Sequence, residues 1–188
     1  MTVEAPRIPP VEPPYEPDID TMLKKWMPPN SDAEPLKLFR TLAVHPELTS
    51  RMRPLGAGIL GHGVVDARER ELVIHRTCAR CGAEYEWGVH AAGLAARSGL
   101  SRDTIAGTRN AAVEARVWSA RERVLIRVAD ALHDNASIDD AQWVELARGW
   151  REEQILEILV VAGFYHLVSF SVNALALEPE PWAERFPA

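Results

Sequence analysis

Two cysteines, two histidines and several carboxylates lie close together between residues 66 and 99 and are well suited to chemistry. Cys78 and Cys81 form a C-x-x-C motif, which can close a disulfide in a helix or at its end, and the adjacent Arg76 and Arg80 would favour the thiolate. Two small buried residues at a helix end would give the same pattern. Because there is no second C-x-x-C and no H-x-H, we expect no metal here.

A second candidate set consists of a histidine and two glutamates. Glu86 and His90 are four residues apart, a helical spacing at which a carboxylate can hydrogen-bond an imidazole, raise its pKa and fix its tautomer. Such a pair suits general acid–base catalysis. Alternatively, His90 is a capped or solvent-exposed histidine without a catalytic role. Glu71 shares one face of the preceding helix with the two cysteines. Tyr85 and Trp87 fit a core or a pocket wall.

A polar stripe interrupts the most apolar stretch of the chain, residues 155–177. Its members are Gly163, His166, Ser169 (or Phe170) and Asn173. Such a stripe must face a pocket, a subunit partner or a buried hydrogen-bond network, and the sequence leaves these three open. The stretch is long enough to span a bilayer, but its polar residues would be costly in lipid, so we expect a buried central helix.

No segment alternates between apolar and polar residues over a useful length, so the sequence predicts no strands. Helices must therefore position these side chains. We predict an all-α fold. The expected helices cover about 34–45, 46–60, 66–81, 83–98, a short one from 101, 119–135, 139–150 and 151–177. Asp66 with Glu69, and Ser119 with Glu122, should form capping boxes at two helix starts, and Gly99 should be a left-handed cap.

An internal repeat relates residues 66–72 to residues 119–125, 53 positions later. At the positions of Glu71, Cys78 and His90 the second copy has Val124, Ala131 and Trp143. An apolar residue therefore suffices structurally at these positions. Because burying an unpaired carboxylate is costly, Glu71 must either pair locally or do chemistry.

The 188 residues fit one helical domain over 36–177, with a Pro-rich extended arm over 1–35 and a tail over 178–188. The arm contains nine of the fourteen prolines, and it is either a floppy tail or a segment that lies on the body or on a neighbouring subunit. The net charge of −6 excludes nucleic acid as an expected partner. The N-terminus lacks the pattern of a signal peptide, so we expect a cytoplasmic protein without membrane association.

Four motifs resemble those of the carboxymuconolactone decarboxylase superfamily, which also includes alkylhydroperoxidase D. They are RERELVI at 68–74, CGAEYEWGVH at 81–90, GLS at 99–101 and GFYHLVSFSVNAL at 163–175. The resemblance covers about residues 36–177. It implies an all-helical fold built around a helical hairpin, an alkylhydroperoxidase D-like core, a small-molecule substrate and no organic cofactor. It also implies a homo-oligomer, which could be a dimer, a trimer or a hexamer.

The resemblance implies two chemistries. Alkylhydroperoxidase D-like members carry a glutamate, then a C-x-x-C, and a histidine four positions after the second cysteine, and their thiols reduce peroxides. Glu71 and His90 match that glutamate and histidine, but the cysteine positions counted back from His90 fall on Ala83 and Glu86. The C-x-x-C of this chain is thus displaced by five residues. The decarboxylase branch needs no thiols.

Three functions follow from these observations. The first is a cofactor-independent acid–base enzyme acting on a small lactone or a related carboxylated ring compound. In it Glu71 and His90 would transfer protons, Glu86 would orient His90, and the pocket would be lined by Tyr85, Trp87 and His166. The second is a thiol peroxidase (peroxiredoxin-type) using Cys81 and Cys78. The third is a non-enzymatic oligomeric binding protein in which the polar residues satisfy one another.

Overall fold

The computed structural model describes residues 5–28, 31 and 33–187, without the side chains of residues 95 and 96. In that part of the chain there are helices and no strand, which confirms the all-α prediction. The α-helices are α1 (Pro17–Trp26), α2 (Lys37–Leu42), α3 (Pro46–His62), α4 (Ala67–Arg80), α5 (Glu84–Gly93), α6 (Arg102–Asn110), α7 (Ala120–Asn135), α8 (Asp140–Gly149) and α9 (Glu152–Ala174). A 3₁₀ turn covers Ala95–Ser98.

The centre of the molecule is α4, which packs against α5, α6, α7 and α9. Every residue from Glu71 to Ala79 is buried, although the helix is rich in charged and polar side chains. A buried polar side chain needs a partner on a neighbouring helix, since unpaired burial is costly. The fold therefore surrounds the residues of α4 that are suited to chemistry.

Helices α4 and α7 lie parallel, side by side, and their charged residues pair in register. Arg68 binds Glu122 at 2.8 Å, Arg80 binds Asp134 at 2.5 Å, and Arg76 binds both oxygens of Asp130 at 2.6 and 2.8 Å. Each pair joins residues 54 positions apart, close to the 53-residue offset of the repeat. The two related helices thus face one another across the core.

Of the two predicted capping boxes, the one at Ser119 forms and the one at Asp66 does not. At α4 the Asp66 side chain accepts a hydrogen bond from the Arg68 backbone, while a further box, which was not predicted, forms at Asp139. The carboxylate of Glu69 instead binds Arg121 and accepts a hydrogen bond from Trp150 Nε1 at 2.8 Å. The predicted box at α4 is therefore wrong, because side chains from other helices compete for Glu69.

Three predicted helices are shorter in the structure. The first covers only Lys37–Leu42, the fourth ends at Gly93 and continues as a 3₁₀ turn, and the last ends at Ala174. Gly99 has φ +75°, as expected for a left-handed cap, and Gly82 has φ +65° in the turn between α4 and α5. Because a side chain at Gly82 would be strained, this glycine permits the sharp turn that brings α5 back beside α4.

The N-terminal arm is partly helical and lies on the body of the same chain. The expected extended conformation is wrong for Pro17–Trp26, because proline at the first turn of a helix loses no hydrogen bond. Leu23 is fully buried, Trp26 packs on Phe39 with ring centroids 4.6 Å apart, and Arg7 donates to the Ala174 carbonyl at 2.9 Å. The predicted arm and tail also include residues 1–4, 29, 30, 32 and 188, which lie outside the described residues.

Helix α9 is long and apolar enough to cross a membrane, by length and composition alone. Half of its most apolar window is buried inside the protein, where it packs against α3, α4, α5 and α8. Its buried side includes Tyr165 and Ser169. The opposite side exposes Leu156, Val160, Leu167 and Phe170. This packing is that of a core helix with one apolar face left open.

Candidate active site

The imidazole of His90 lies between two carboxylates. Its Nδ1 is 2.9 Å from Glu71 Oε2 on α4, and its Nε2 is 3.4 Å from Glu86 Oε1, one turn earlier on α5. All three residues are buried, with 7% exposure or less. The ring of Tyr165 on α9 packs edge-on against His90 at 5.1 Å between centroids. The structure thus joins the three acid–base candidates into one cluster.

The charges of this cluster are coupled. Burial lowers the pKa of His90, but Glu71 and Glu86 outweigh it and raise that pKa to about 10. Burial likewise raises the pKa of Glu71, and the neighbouring His90 cation reverses the effect, so the pKa of Glu71 is lowered overall. At neutral pH the pair is therefore a carboxylate and an imidazolium. A buried imidazolium is a proton donor suited to general acid catalysis.

His75 lies next to the cluster as a neutral base. Its Nδ1–H donates to the Glu71 carbonyl oxygen at 2.7 Å, which leaves Nε2 as an acceptor. Burial and the His90 cation lower the pKa of His75 to about 4. Its ring lies edge-on to Trp87 and to His90, with centroids 5.9 and 6.0 Å away. His75 was not among the predicted site residues, although its one-turn spacing from Glu71 could have indicated it.

Several buried polar atoms around the cluster have no hydrogen-bond partner within the described part of the chain. They are Arg70 Nε, His75 Nε2, Glu86 Oε2 and Ser169 Oγ. Arg70 is close enough to Glu71 and Tyr165 to lower the pKa of both. Because native proteins pair nearly all buried polar groups, such atoms indicate positions for water or a ligand. Arg70 and Tyr165 were missed in the sequence because their type and spacing give no distinctive signal.

Both cysteines are free thiols in an environment that keeps them protonated. Burial raises the pKa of Cys78, and the Glu86 carboxylate raises it further. Burial also raises the pKa of Cys81, although the Ser169 hydroxyl and Arg80 act in the opposite direction. The expected effect of the arginines is present for Arg80, which lowers the pKa of Cys81, but burial outweighs it. Arg76 and Arg80 are also bound to Asp130 and Asp134.

The two cysteines both lie beside the Ser169 hydroxyl but differ in burial and in their other contacts. Cys78 is fully buried beside Ser169. Cys81 Sγ lies 3.6 Å from His133 Nδ1, on α7. Among the described residues neither sulfur makes a hydrogen bond to His90, so the structure separates the thiol at position 81 from the acid–base cluster.

The three predicted pocket residues make structural contacts. The Tyr85 hydroxyl donates to Glu180 at 2.6 Å and accepts from the Leu38 backbone, while Trp87 Nε1 donates to Thr108 at 2.9 Å. His166 lies 3.1 Å from His133 and takes no part in the Glu71–His90 cluster. These contacts assign Tyr85 and Trp87 to the packing around α5.

Polar residues of the predicted α9 stripe converge on Cys81. The Ser169 hydroxyl lies beside both thiols, and Asn173 donates to the Cys81 carbonyl at 2.8 Å. Cys81, His133 and His166 are the one group in the described chain whose side chains could together hold a metal ion. His133 was missed because it lies 52 residues from Cys81 in the sequence.

Two surface clefts, of about 220 and 570 Å³, lie along the N-terminal arm. The first is lined by arm residues together with Lys37, Arg40 and residues near Leu177, and the second by residues 13–35. None of the predicted site residues lines either cleft. The acid–base cluster is therefore a buried site, enclosed by α4, α5 and α9.

The helices are arranged in an alkylhydroperoxidase D-like fold. Residues 46–131 match the carboxymuconolactone decarboxylase family. No curated protein sequence matches the chain. This match, over a little under half of the chain, supports the carboxymuconolactone decarboxylase and alkylhydroperoxidase D-like superfamily that the sequence motifs predicted.

Solved structures with the same fold cover nearly the whole chain. A peroxidase-related protein with an alkylhydroperoxidase D core from Ralstonia eutropha JMP134 has a TM-score of 0.80 at 18% identity, covering 95% of this chain and 94% of its own. A peroxidase-related protein from Silicibacter sp. TM1040 has a TM-score of 0.80 at 18% identity, covering 100% of both. The debrominase Bmp8, bound to 2,3,4-tribromopyrrole, has a TM-score of 0.75 at 19% identity, covering 93% and 91%. At these identities the similarity shows the fold.

Proposed function

We propose that this chain is a cytoplasmic, cofactor-independent acid–base enzyme that acts on a small lactone or a related carboxylated ring compound. The observation that carries the proposal is the buried His90 imidazolium between Glu71 and Glu86. An ionised histidine in this setting holds a proton that it can deliver to a substrate that reaches the cluster. The protonated thiols offer no comparable reactive group at neutral pH.

Decarboxylation is the reaction that these groups fit. The bond between the ring carbon and the carboxylate breaks, CO₂ leaves, and the electron pair remains as an extended enolate. His90 then delivers its proton to carbon and becomes neutral, and solvent restores the proton by way of Glu86, whose Oε2 has no partner. Glu71 holds the imidazole in place throughout.

Two further side chains support an anionic substrate. Arg70 has an unpartnered buried Nε and makes no ion pair within the described residues, so its guanidinium is suited to bind the substrate carboxylate. Burial keeps the pKa of Tyr165 well above its usual value, and its neutral hydroxyl can donate to an enolate oxygen. Bmp8 holds a small ring compound within the same fold, which supports a substrate of this size.

The test uses a panel of small lactone carboxylates with the purified protein. CO₂ release and deuterium incorporation at carbon in D₂O would be followed for the wild type, His90→Gln and Cys78→Ala. His90→Gln should abolish turnover, while Cys78→Ala should retain it, because the related position of the repeat is Ala131. Turnover by His90→Gln, or its loss in Cys78→Ala, would reject the proposal.

A thiol peroxidase is the second candidate function. The peroxidase-related neighbours and the position of the Ser169 hydroxyl beside both thiols favour it. In this reaction one thiol attacks peroxide to give a sulfenic acid and water, and the other thiol displaces a second water to form the disulfide. Counting free thiols before and after one equivalent of peroxide tests it, and two remaining thiols would rule it out.

A non-enzymatic binding protein remains the third alternative. That hypothesis expects the polar residues to satisfy one another, whereas Arg70 Nε, Glu86 Oε2 and His75 Nε2 have no partner in the described structure. These unpaired atoms count against a non-enzymatic binding protein.

We also propose that the chain forms a homo-oligomer through the open apolar face of α9, since exposed apolar stripes of this kind are typical of interfaces.

A further inference from the structure

We infer that Cys81, His133 and His166 form a binding site for a zinc-class transition-metal ion. Cys81 caps the end of α4, His133 lies on the last turn of α7, and His166 lies on α9. Their ligand atoms all lie within 4.8 Å of one another. The inference does not depend on the proposed decarboxylation, because none of the three residues belongs to the Glu71–His90–Glu86 cluster.

The distances between the ligand atoms are those of a tetrahedral zinc site. With Zn–S of about 2.3 Å and Zn–N of about 2.0–2.1 Å, tetrahedral angles place sulfur about 3.6 Å from nitrogen and two nitrogens about 3.3 Å apart. Cys81 Sγ lies 3.6 Å from His133 Nδ1, and His133 Nδ1 lies 3.1 Å from His166 Nε2. These two distances are within a few tenths of an ångström of the tetrahedral values, and Cys81 Sγ lies within 4.8 Å of the His166 ligand atom.

The histidines are oriented as metal ligands usually are. His166 Nδ1 donates to the Ala162 carbonyl at 2.8 Å, so Nε2 carries a lone pair that points toward the other two side chains. A hydrogen bond from the second ring nitrogen to a carbonyl is the usual way that proteins fix the tautomer of a metal-binding histidine. The rings of His133 and His166 stack with their planes at 24°, and His133 Nδ1 lies 3.1 Å from His166 Nε2.

The surroundings tolerate a cation. The nearest positive side chain, Arg80, is paired with Asp134 at 2.5 Å and with Asp130 at 3.6 Å, so its charge is balanced. Asn173 fixes the backbone at Cys81 by donating to its carbonyl.

The donor set selects the class of metal. One thiol and two imidazoles favour zinc-like ions over magnesium or calcium, which prefer oxygen. Metal binding would displace the proton of the Cys81 thiol, because such ions bind the thiolate. All three side chains are half-buried, so a fourth position is open to water or to a small ligand, as in zinc sites with three protein ligands.

The test is metal titration of the full chain, free of a histidine tag and kept reduced with a non-chelating reductant. Calorimetry with Zn²⁺ should show one ion per chain. Co²⁺ should produce the visible bands of a tetrahedral ion and a near-ultraviolet thiolate charge-transfer band. Cys81→Ser, His133→Ala and His166→Ala should each weaken Zn²⁺ binding by more than about tenfold, since even loss of a supporting hydrogen bond typically costs that much.

His62→Ala is the matched control, because His62 is an exposed histidine at the end of α3. It should bind Zn²⁺ with wild-type affinity. Far-ultraviolet circular dichroism of each variant checks that the helices are intact, and Cys81→Ser is conservative enough to keep the fold. Absence of stoichiometric binding, a Co²⁺ spectrum without the thiolate band, or equal losses in His62→Ala would each overturn the inference.

Discussion

The replacement of Glu71 by glutamine separates the charge of this carboxylate from its size. In the wild type the pKa of His90 is raised from 6.5 to about 10, which at 1.36 kcal/mol per unit is about 5 kcal/mol of net favourable interaction. Glu71 is the largest contributor that raises this pKa and lies nearer than Glu86, at 2.9 Å against 3.4 Å. We therefore expect Glu71→Gln to lower the pKa of His90 by at least about 2 units.

The same change should alter the pH dependence of stability. Because the pKa of His90 is higher in the folded protein than in the unfolded chain, its contribution is complete below about pH 6.5 and is lost as the pH rises through about 10. The free energy of unfolding of the wild type should fall over that interval, and that of Glu71→Gln should fall much less.

NMR titration of the His90 Cε1–H signal measures the pKa directly, and urea unfolding at several pH values measures stability. Glu152→Gln, an exposed carboxylate at the start of α9, is the control and should leave both profiles unchanged. A wild-type His90 that titrates near 6.5, or an unchanged His90 pKa in Glu71→Gln, would refute the proposed ion pair.

Further predictions concern substrate binding, packing and assembly. Arg70→Gln should raise the KM for an anionic substrate by about 10- to 100-fold with less effect on kcat, as steady-state kinetics would show, because it removes a charged hydrogen-bond donor. Gly88→Ala should lower the free energy of unfolding by about 1–3 kcal/mol and speed proteolysis of the C-terminal tail, because its Cβ would lie 2.0 Å from the Glu184 carbonyl oxygen; urea unfolding and limited digestion measure both. Phe170→Glu should reduce the mass measured by light scattering to that of one chain, and an unchanged mass would exclude this face as the interface.

Much of the fold could be predicted because helix signals are local. The caps at Ser119 and Asp139, the turn at Gly82 and the one-turn spacing of Glu86 and His90 all depend on residues within four positions of one another. The prediction that this helix continues to Ser98 is wrong, because the chain after Gly93 forms a 3₁₀ turn over Ala95–Ser98. The spacing of apolar residues does not indicate where an α-helix changes into a 3₁₀ turn.

The sequence by itself determined the all-α class and the main helices, indicated a resemblance to the superfamily, and named the three residues of the acid–base cluster. Only the tertiary structure decided their contacts and charges: that Glu71 reaches His90 across the hairpin, and that Arg76 binds Asp130 and leaves the thiols protonated. It also brought His133 and His166 to Cys81. The physical reason is distance along the chain, since a helix sets neighbours three or four residues apart, whereas packing between helices selects partners dozens of residues away.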